Sequence, residues 1–166
     1  MQSDRDRIVF SGGPTLDSIY RGLVFSPDRR SLAFRRGGDQ GGIWVVDIET
    51  GHAHSVLTSD AAEFLSWSPD GRALLVTRIE NAGTEKETTE LRLIPVDGGE
   101  VRRIPPGAEL TRLLSPSGTP RRTMHQVVWS PDGGRLAFVL SASRPETWII
   151  ENPLALAGAA DAIARK

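Results

Sequence analysis

Residues suited to chemistry are few in this chain, and their spacing is against them. His52 and His54 stand two apart in "GHAH", the spacing at which a β-strand aims two imidazoles to one side, as a metal ion requires. Both fall at a strand turn, however, and His125 belongs to a distant stretch, so no third ligand is near and they read as solvated turn residues. Acyl transfer of the hydrolase type needs a nucleophile elbow, G-x-S-x-G. The nearest text, "FSGGP" at 10–14, has the wrong order, and no Ser, His and Asp are spaced as a triad. No Asp-x-Asp-x-Asp run offers a calcium loop. "GGDQGG" at 37–42 is glycine-rich but joins two strands and opens no helix, so it is a hairpin link and not a phosphate cradle. With no cysteine there is no thiol nucleophile, disulfide or zinc–thiolate site. The expectation is a chain with no catalytic residue, cofactor or metal of its own.

What does recur is a serine–aspartate pair. "FSPDR" at 25–29 is followed by "WSPDG" at 67–71 and again at 129–133. Ser26, Pro27 and Asp28 match Ser68, Pro69, Asp70 and Gly71, and then Ser130, Pro131, Asp132 and Gly133. Proline presets φ at the second position of a type I turn, and Asp then Gly suit the next two. Short β-rich flanks lie on both sides, "GLVF", "FLSW" and "QVVW" before, "SLAF", "ALLV" and "RLAF" after. Each copy is therefore a hairpin.

The register continues past the hairpin. Trp44 lies 19 residues after Phe25, and Trp148 lies 19 after Trp129, each in a further β-rich run. Arg92 holds that place in the middle unit, within "ELRLIPVDGG". "HSVLT" (54–58) and "EVRRIP" (100–105) supply fourth strands. Four short antiparallel strands in about 42 residues make one propeller blade. An aromatic recurring at one repeat position is a packing residue between blades, so Trp44, Trp67, Trp129 and Trp148 are assigned to structure.

These residues resemble a known family. "W-S-P-D-G" with its following "L-A-F", then "IWVVDIETG", is similar to the WD-like repeats of TolB-type β-propellers, over about residues 23–153. The resemblance implies that the Ser-Pro-Asp-Gly turn is a structural link between the two inner strands of a blade. It also implies a bacterial protein that docks other proteins on its face, in an envelope or periplasmic setting; a cytoplasmic setting is the alternative. Fold alone does not fix function, and the same blades serve as accessory domains of prolyl-oligopeptidase-like hydrolases or as ligand- and carbohydrate-binding propellers.

The expected architecture is all-β and propeller-like, three four-stranded antiparallel blades in a single domain spanning 1–166. An outer strand is expected at 7–12, blade 1 at about 21–58, blade 2 at about 63–105 and blade 3 at about 125–153, with an Ala-rich tail at 154–166. That tail lacks β alternation, so the strand at 7–12 is the candidate to complete blade 3. Three blades do not close a ring of the usual 4 to 8. The chain is the C-terminal portion of a longer propeller, or half of a six-bladed ring completed by a second copy, or an open arc. The ending "ARK" reads like a natural end.

A net charge of -1 argues against a nucleic-acid partner, and no apolar run reaches the roughly 20 residues of a membrane helix. A protein partner is expected instead. Trp67 follows Phe25 by 42 residues but Trp129 follows Trp67 by 62. Register assigns six of the extra residues to the link between strands two and three of blade 2, and fourteen to the link between blades 2 and 3. In an up-and-down blade both links leave from one face. Long loops on a rigid scaffold carry binding. Lys86, Arg112, Arg121, Arg122 and His125 are therefore the candidate partner-binding residues.

Overall fold

The computed structural model describes residues 8–11, 20–38, 41–58, 62–81, 88–105, 111, 114, 123–141 and 146–151. The fold is all-β. The first sheet is β1 (Tyr20–Phe25), β2 (Ser31–Arg36), β3 (Gly42–Asp47) and β4 (Ala53–Leu57), hydrogen-bonded in chain order. The second repeats that order with β5 (Ala62–Trp67), β6 (Ala73–Glu80), β7 (Thr88–Pro95) and β8 (Arg102–Ile104). The third has β9 (Thr123–Trp129), β10 (Arg135–Ser141) and β11 (Glu146–Glu151). All pairings are antiparallel, and the register of the repeat is exact across sheets: Phe34 faces Trp44, Val76 faces Arg92, and Phe138 faces Trp148.

Two rows of side chains explain how the sheets stack. Side chains alternate across a strand, so each sheet offers one row to each neighbour. The first row is Val24–Ala33–Val45, repeated as Ser66–Leu75–Leu93 and Val128–Ala137–Ile149. The second is Phe25–Leu32–Val46, repeated as Trp67–Leu74–Ile94 and Trp129–Leu136–Ile150. The first row of sheet one packs on the second row of sheet two, in a cluster holding Ala33, Ile43, Val45, Trp67, Leu74, Val76 and Ile94. Sheet two meets sheet three in the same way, through Leu75, Leu91, Met124, Leu136 and Phe138. The middle sheet is thus covered on both faces. Its central strand β6 accordingly reads as a continuous apolar run, buried from Ala73 to Thr77 without alternation.

Two expectations change here. The third sheet has three strands among the described residues, and residues 8–11 do not complete it. That segment forms no strand; it lies against the first sheet, at the other end of the arc, where the Phe10 ring sits 5.5 Å from Phe34 and 6.5 Å from Trp44. Phe34 points away from sheet two, and Phe10 supplies the apolar neighbour that a preceding blade would otherwise provide. The six extra residues of blade 2, meanwhile, are mostly strand. The β6–β7 ladder continues past Arg78–Glu90, the counterpart of Arg36–Gly42, by the rungs Ile79–Thr89 and Glu80–Thr88. The 154–166 tail lies outside the described residues.

Candidate functional site

The serine–aspartate pairs are spent on their own turns. Ser26 Oγ donates to Asp28 Oδ1 at 2.6 Å and accepts from the Ser31 N–H at 2.9 Å, while Asp28 Oδ1 also accepts from the Arg30 N–H at 3.0 Å. Ser68, Asp70, Arg72 and Ala73 repeat the pattern at 2.6, 3.0 and 3.1 Å. Ser130, Asp132, Gly134 and Arg135 repeat it again at 2.5, 2.9 and 2.9 Å. The turn closes through a backbone bond from residue 29, 71 or 133 to the serine carbonyl, and that residue has positive φ: 62° at Arg29, 71° at Gly71 and 74° at Gly133. Glycine at two of the three positions adopts this φ without the cost that Arg29 bears at the third. Each hydroxyl and its carboxylate thus hold backbone N–H groups of their own turn, and Ser26 and Ser68 are buried.

That geometry has a pH signature. Each aspartate carboxyl is held below its ordinary value of 3.8, first by the serine hydroxyl and then by the backbone N–H two residues on. Asp47 is lowered likewise, by the backbone N–H and the hydroxyl of Thr50, both at 2.8 Å. A carboxyl with a depressed folded pKa contributes stability above its unfolded value and loses it as pH falls through the folded one. The thermal midpoint is expected to fall below about pH 4, the unfolded carboxylate range. Replacing Asp28, Asp70 and Asp132 together with Asn should flatten that acid limb, and midpoints measured from neutral pH downward check it. An acid limb equally steep in the triple variant would place the proton uptake elsewhere.

The other candidates are also occupied structurally. His54 Nε2 lies 3.0 Å from the Val96 carbonyl, so it ties the first sheet to the β7–β8 turn of the second, and its ring stacks on His52 at 6.4 Å. Among the described residues no group of three or more His, Cys, Asp or Glu could hold a metal ion. Within the glycine-rich link, the Gly41 N–H donates to the Gly38 carbonyl at 2.8 Å, as a hairpin connection does. Of the tryptophans, Trp67 is 8% exposed and donates its indole N–H across the first seam to the Val24 carbonyl at 3.0 Å. Trp44 lies beneath the Arg36 guanidinium, 5.4 Å from its ring centre. Trp129 is half-buried against the second cluster, and its buried indole N–H finds no acceptor. The Trp148 side chain lies outside the described residues.

The face opposite the Ser-Pro-Asp-Gly turns carries both insertions, because the β6–β7 and β8–β9 links leave from it. The lengthened β6–β7 hairpin is braced by charge. Arg92 Nη2 reaches Glu90 at 2.7 Å and Glu80 at 3.5 Å, Arg78 reaches Glu80 at 3.6 Å, and Arg103 of β8 reaches Glu90 at 3.3 Å. Arg92 thus replaces the tryptophan of the other blades because its neighbours here are carboxylates. Sequence reading by motif missed this network; the available signal was opposite charges two apart on one strand, Arg78 with Glu80 and Glu90 with Arg92. Leu114, within the β8–β9 link, packs against the second apolar cluster. Of the candidate partner-binding residues, Lys86, Arg112, Arg121 and Arg122 lie outside the described residues. His125 stands inside β9, facing Val139, and not in the link before it, because the bulged start of β9 reaches back to Thr123.

On the concave side the inner strands β1, β5 and β9 line a hollow of about 550 Å³, walled by Leu23, Phe25, Pro27, Trp67, Pro69 and Trp129. A second, of about 700 Å³, includes Gly22 and Gln126. These two residues hold the same repeat position, three before the motif aromatic, and both have positive φ, 65° and 51°, at a bulge in the strand. The bulge is a feature of the blade that spacing of the motif alone does not reveal.

Sheets stacked through one repeated seam, with the first strand of each innermost, define a β-propeller, present here as three consecutive blades. No family model matches the sequence, and no curated protein matches it. Solved structures do share the fold. A putative TolB from Agrobacterium tumefaciens is 21% identical, with a TM-score of 0.55 over 85% of this chain and 48% of its own. The β-propeller domain of the Trilobed protease from Pyrococcus furiosus is 12% identical, with a TM-score of 0.54 over 84% of this chain and 41% of its own. A prolyl endopeptidase is 16% identical, with a TM-score of 0.56 over 81% of this chain and 20% of its own. The chain therefore spans less than half the length of each of these structures.

Proposed function

We propose that this chain is a non-catalytic propeller module that docks a protein partner on the face bearing the β6–β7 and β8–β9 links. The observation that carries the reading is the braced hairpin. A strand pair lengthened by two rungs and tied by Arg78, Glu80, Glu90, Arg92 and Arg103 is a rigid stalk from whose end the β6–β7 link departs, on the face from which the β8–β9 link also leaves. Rigid elements presenting extended loops are the usual construction of a binding surface. The likeness to a putative TolB supports the shared fold, and the resemblance of the repeats to TolB-type propellers is what implies a docking role of this kind.

Arg121→Glu with Arg122→Glu should weaken capture of a partner isolated on the unsubstituted chain, with no change in thermal midpoint. Equal capture by both chains would sink the proposal. A second reading, an accessory propeller of a hydrolase, draws on the likeness to prolyl endopeptidase and Trilobed protease domains. It predicts that the captured partner carries peptidase activity, whereas the docking reading alone does not require it.

A further inference from the structure

Three Asp-Gly pairs stand in the chain, at 70–71, 97–98 and 132–133. In such a pair the aspartate carboxyl reaches the next backbone nitrogen with little hindrance, because glycine carries no Cβ. The sequence makes the three alike, and the fold separates them. At Asp70 and Asp132, Oδ1 accepts from the serine hydroxyl two residues before and from the backbone N–H two residues after. The same bonds hold both carboxyls below their ordinary value of 3.8, so the neutral acid is scarce there. Asp97 differs. It is exposed in the β7–β8 turn, and among the described residues its carboxylate has no hydrogen bond or ion pair. Gly98 beside it is exposed too, at φ 87°, with nothing within 4 Å of the place a Cβ would take. Ring closure between the two residues meets no obstacle.

We infer that Asp97–Gly98 is a site of spontaneous modification, where aspartate isomerises to isoaspartate through a succinimide. The Gly98 nitrogen attacks Cγ of the protonated Asp97 carboxyl. The N–Cγ bond forms, the nitrogen gives up its proton, and the hydroxyl leaves as water. Water then reopens the ring at either of its two carbonyls. Cleavage at Cγ restores aspartate, whereas cleavage at the backbone carbonyl carbon of Asp97 routes the main chain through Cγ. One water leaves and one enters, so the mass is unchanged and no oxidant or further reactant is needed. The product has one more main-chain atom, placed just after Val96. That residue is held on both sides: its N–H donates to the Arg72 carbonyl at 3.0 Å, and its carbonyl meets His54 of the first sheet at 3.0 Å. The added atom thus enters the turn that ties the first two blades.

Prolonged incubation of the folded full chain near neutral pH, followed by trypsin, tests this. Cleavage after Lys and Arg puts the three pairs in separate peptides, 37–72, 93–102 and 123–135. The expected result is a second form of 93–102 with unchanged mass, resolved by chromatography and shown by backbone fragmentation to be isoaspartyl at 97. The other two peptides should lag at least about tenfold, the rate factor for first breaking one hydrogen bond of roughly 1.4 kcal/mol. In a chain unfolded by denaturant the three should convert at similar rates, since glycine follows each aspartate. Asp97→Glu should abolish the second form with unfolding still cooperative, because its longer side chain would have to close a larger ring. A 93–102 peptide that stays single overturns the inference. So does equal conversion of all three peptides in the folded chain, which would mean that the carboxylate hydrogen bonds do not decide reactivity.

Discussion

Trp67→Ala should lower the unfolding free energy by about 3–5 kcal/mol, the range for deleting a buried aromatic side chain. Trp67 is the largest side chain buried in the first seam, packed with residues from both sheets, and its indole N–H satisfies the Val24 carbonyl. The two contributions can be separated. Trp67→Phe keeps most of the apolar area but leaves that carbonyl without its donor, at a cost of about 1–3 kcal/mol. Denaturant unfolding of the two variants measures both. Equal losses would assign the whole effect to the hydrogen bond, and no loss would mean that the first two blades are not joined here.

Gly42→Ala is expected to cost about 2–4 kcal/mol, combining an overpacked contact with a positive φ. At Gly42 φ is 143°, and a Cβ would run into the carbonyl oxygen of Leu57 on the neighbouring strand. The obstacle is backbone, so no rotamer change relieves it; β4 must move, and with it the pairing Ile43–Leu57. Gly22→Ala is the control. Its φ of 65° lies in the left-handed region, milder for an L-residue than 143°, and nothing lies within 4 Å of the added carbon, so only about 1–2 kcal/mol is expected. If the two substitutions cost the same, the close approach of β4 to β3 is not what holds glycine at 42.

Much of this architecture is legible because the repeat supplies its own alignment. Three Ser-Pro-Asp copies locate three hairpins, and the shared 19-residue offset to Trp44 and Trp148, with Arg92 six residues further on in blade 2, locates third strands whose observed register is identical in all three sheets. What the repeat cannot convey is whatever breaks it. The extra residues of blade 2 read as a loop because "IENAGTEKETTE" is polar, yet two further rungs form, Ile79–Thr89 and Glu80–Thr88, with Glu80 within reach of Arg78 on its own strand and Arg92 on the neighbouring one. The N-terminal "RIVFSG" has β-forming composition, but strand pairing depends on where an edge lies in space, and Phe10 is held instead by two aromatic rings of the first sheet. His125, counted with the loop residues before blade 3, lies within β9, whose pairing begins at Thr123. For the candidate site, the face is legible from loop lengths, whereas the ion network beneath it required knowing which residues face each other.

The central claim is that the blades form one arc held by a repeated apolar seam, with the recurrent motif serving structure. A double-mutant cycle across that seam tests it most directly. Val24→Ala and Trp67→Ala, separately and together, report by denaturant unfolding whether side chains of sheet one and sheet two depend on each other. A coupling of at least about 0.5 kcal/mol is predicted, as for residues in contact. Additivity within about 0.3 kcal/mol would contradict the seam, and with it the propeller arrangement of the three sheets.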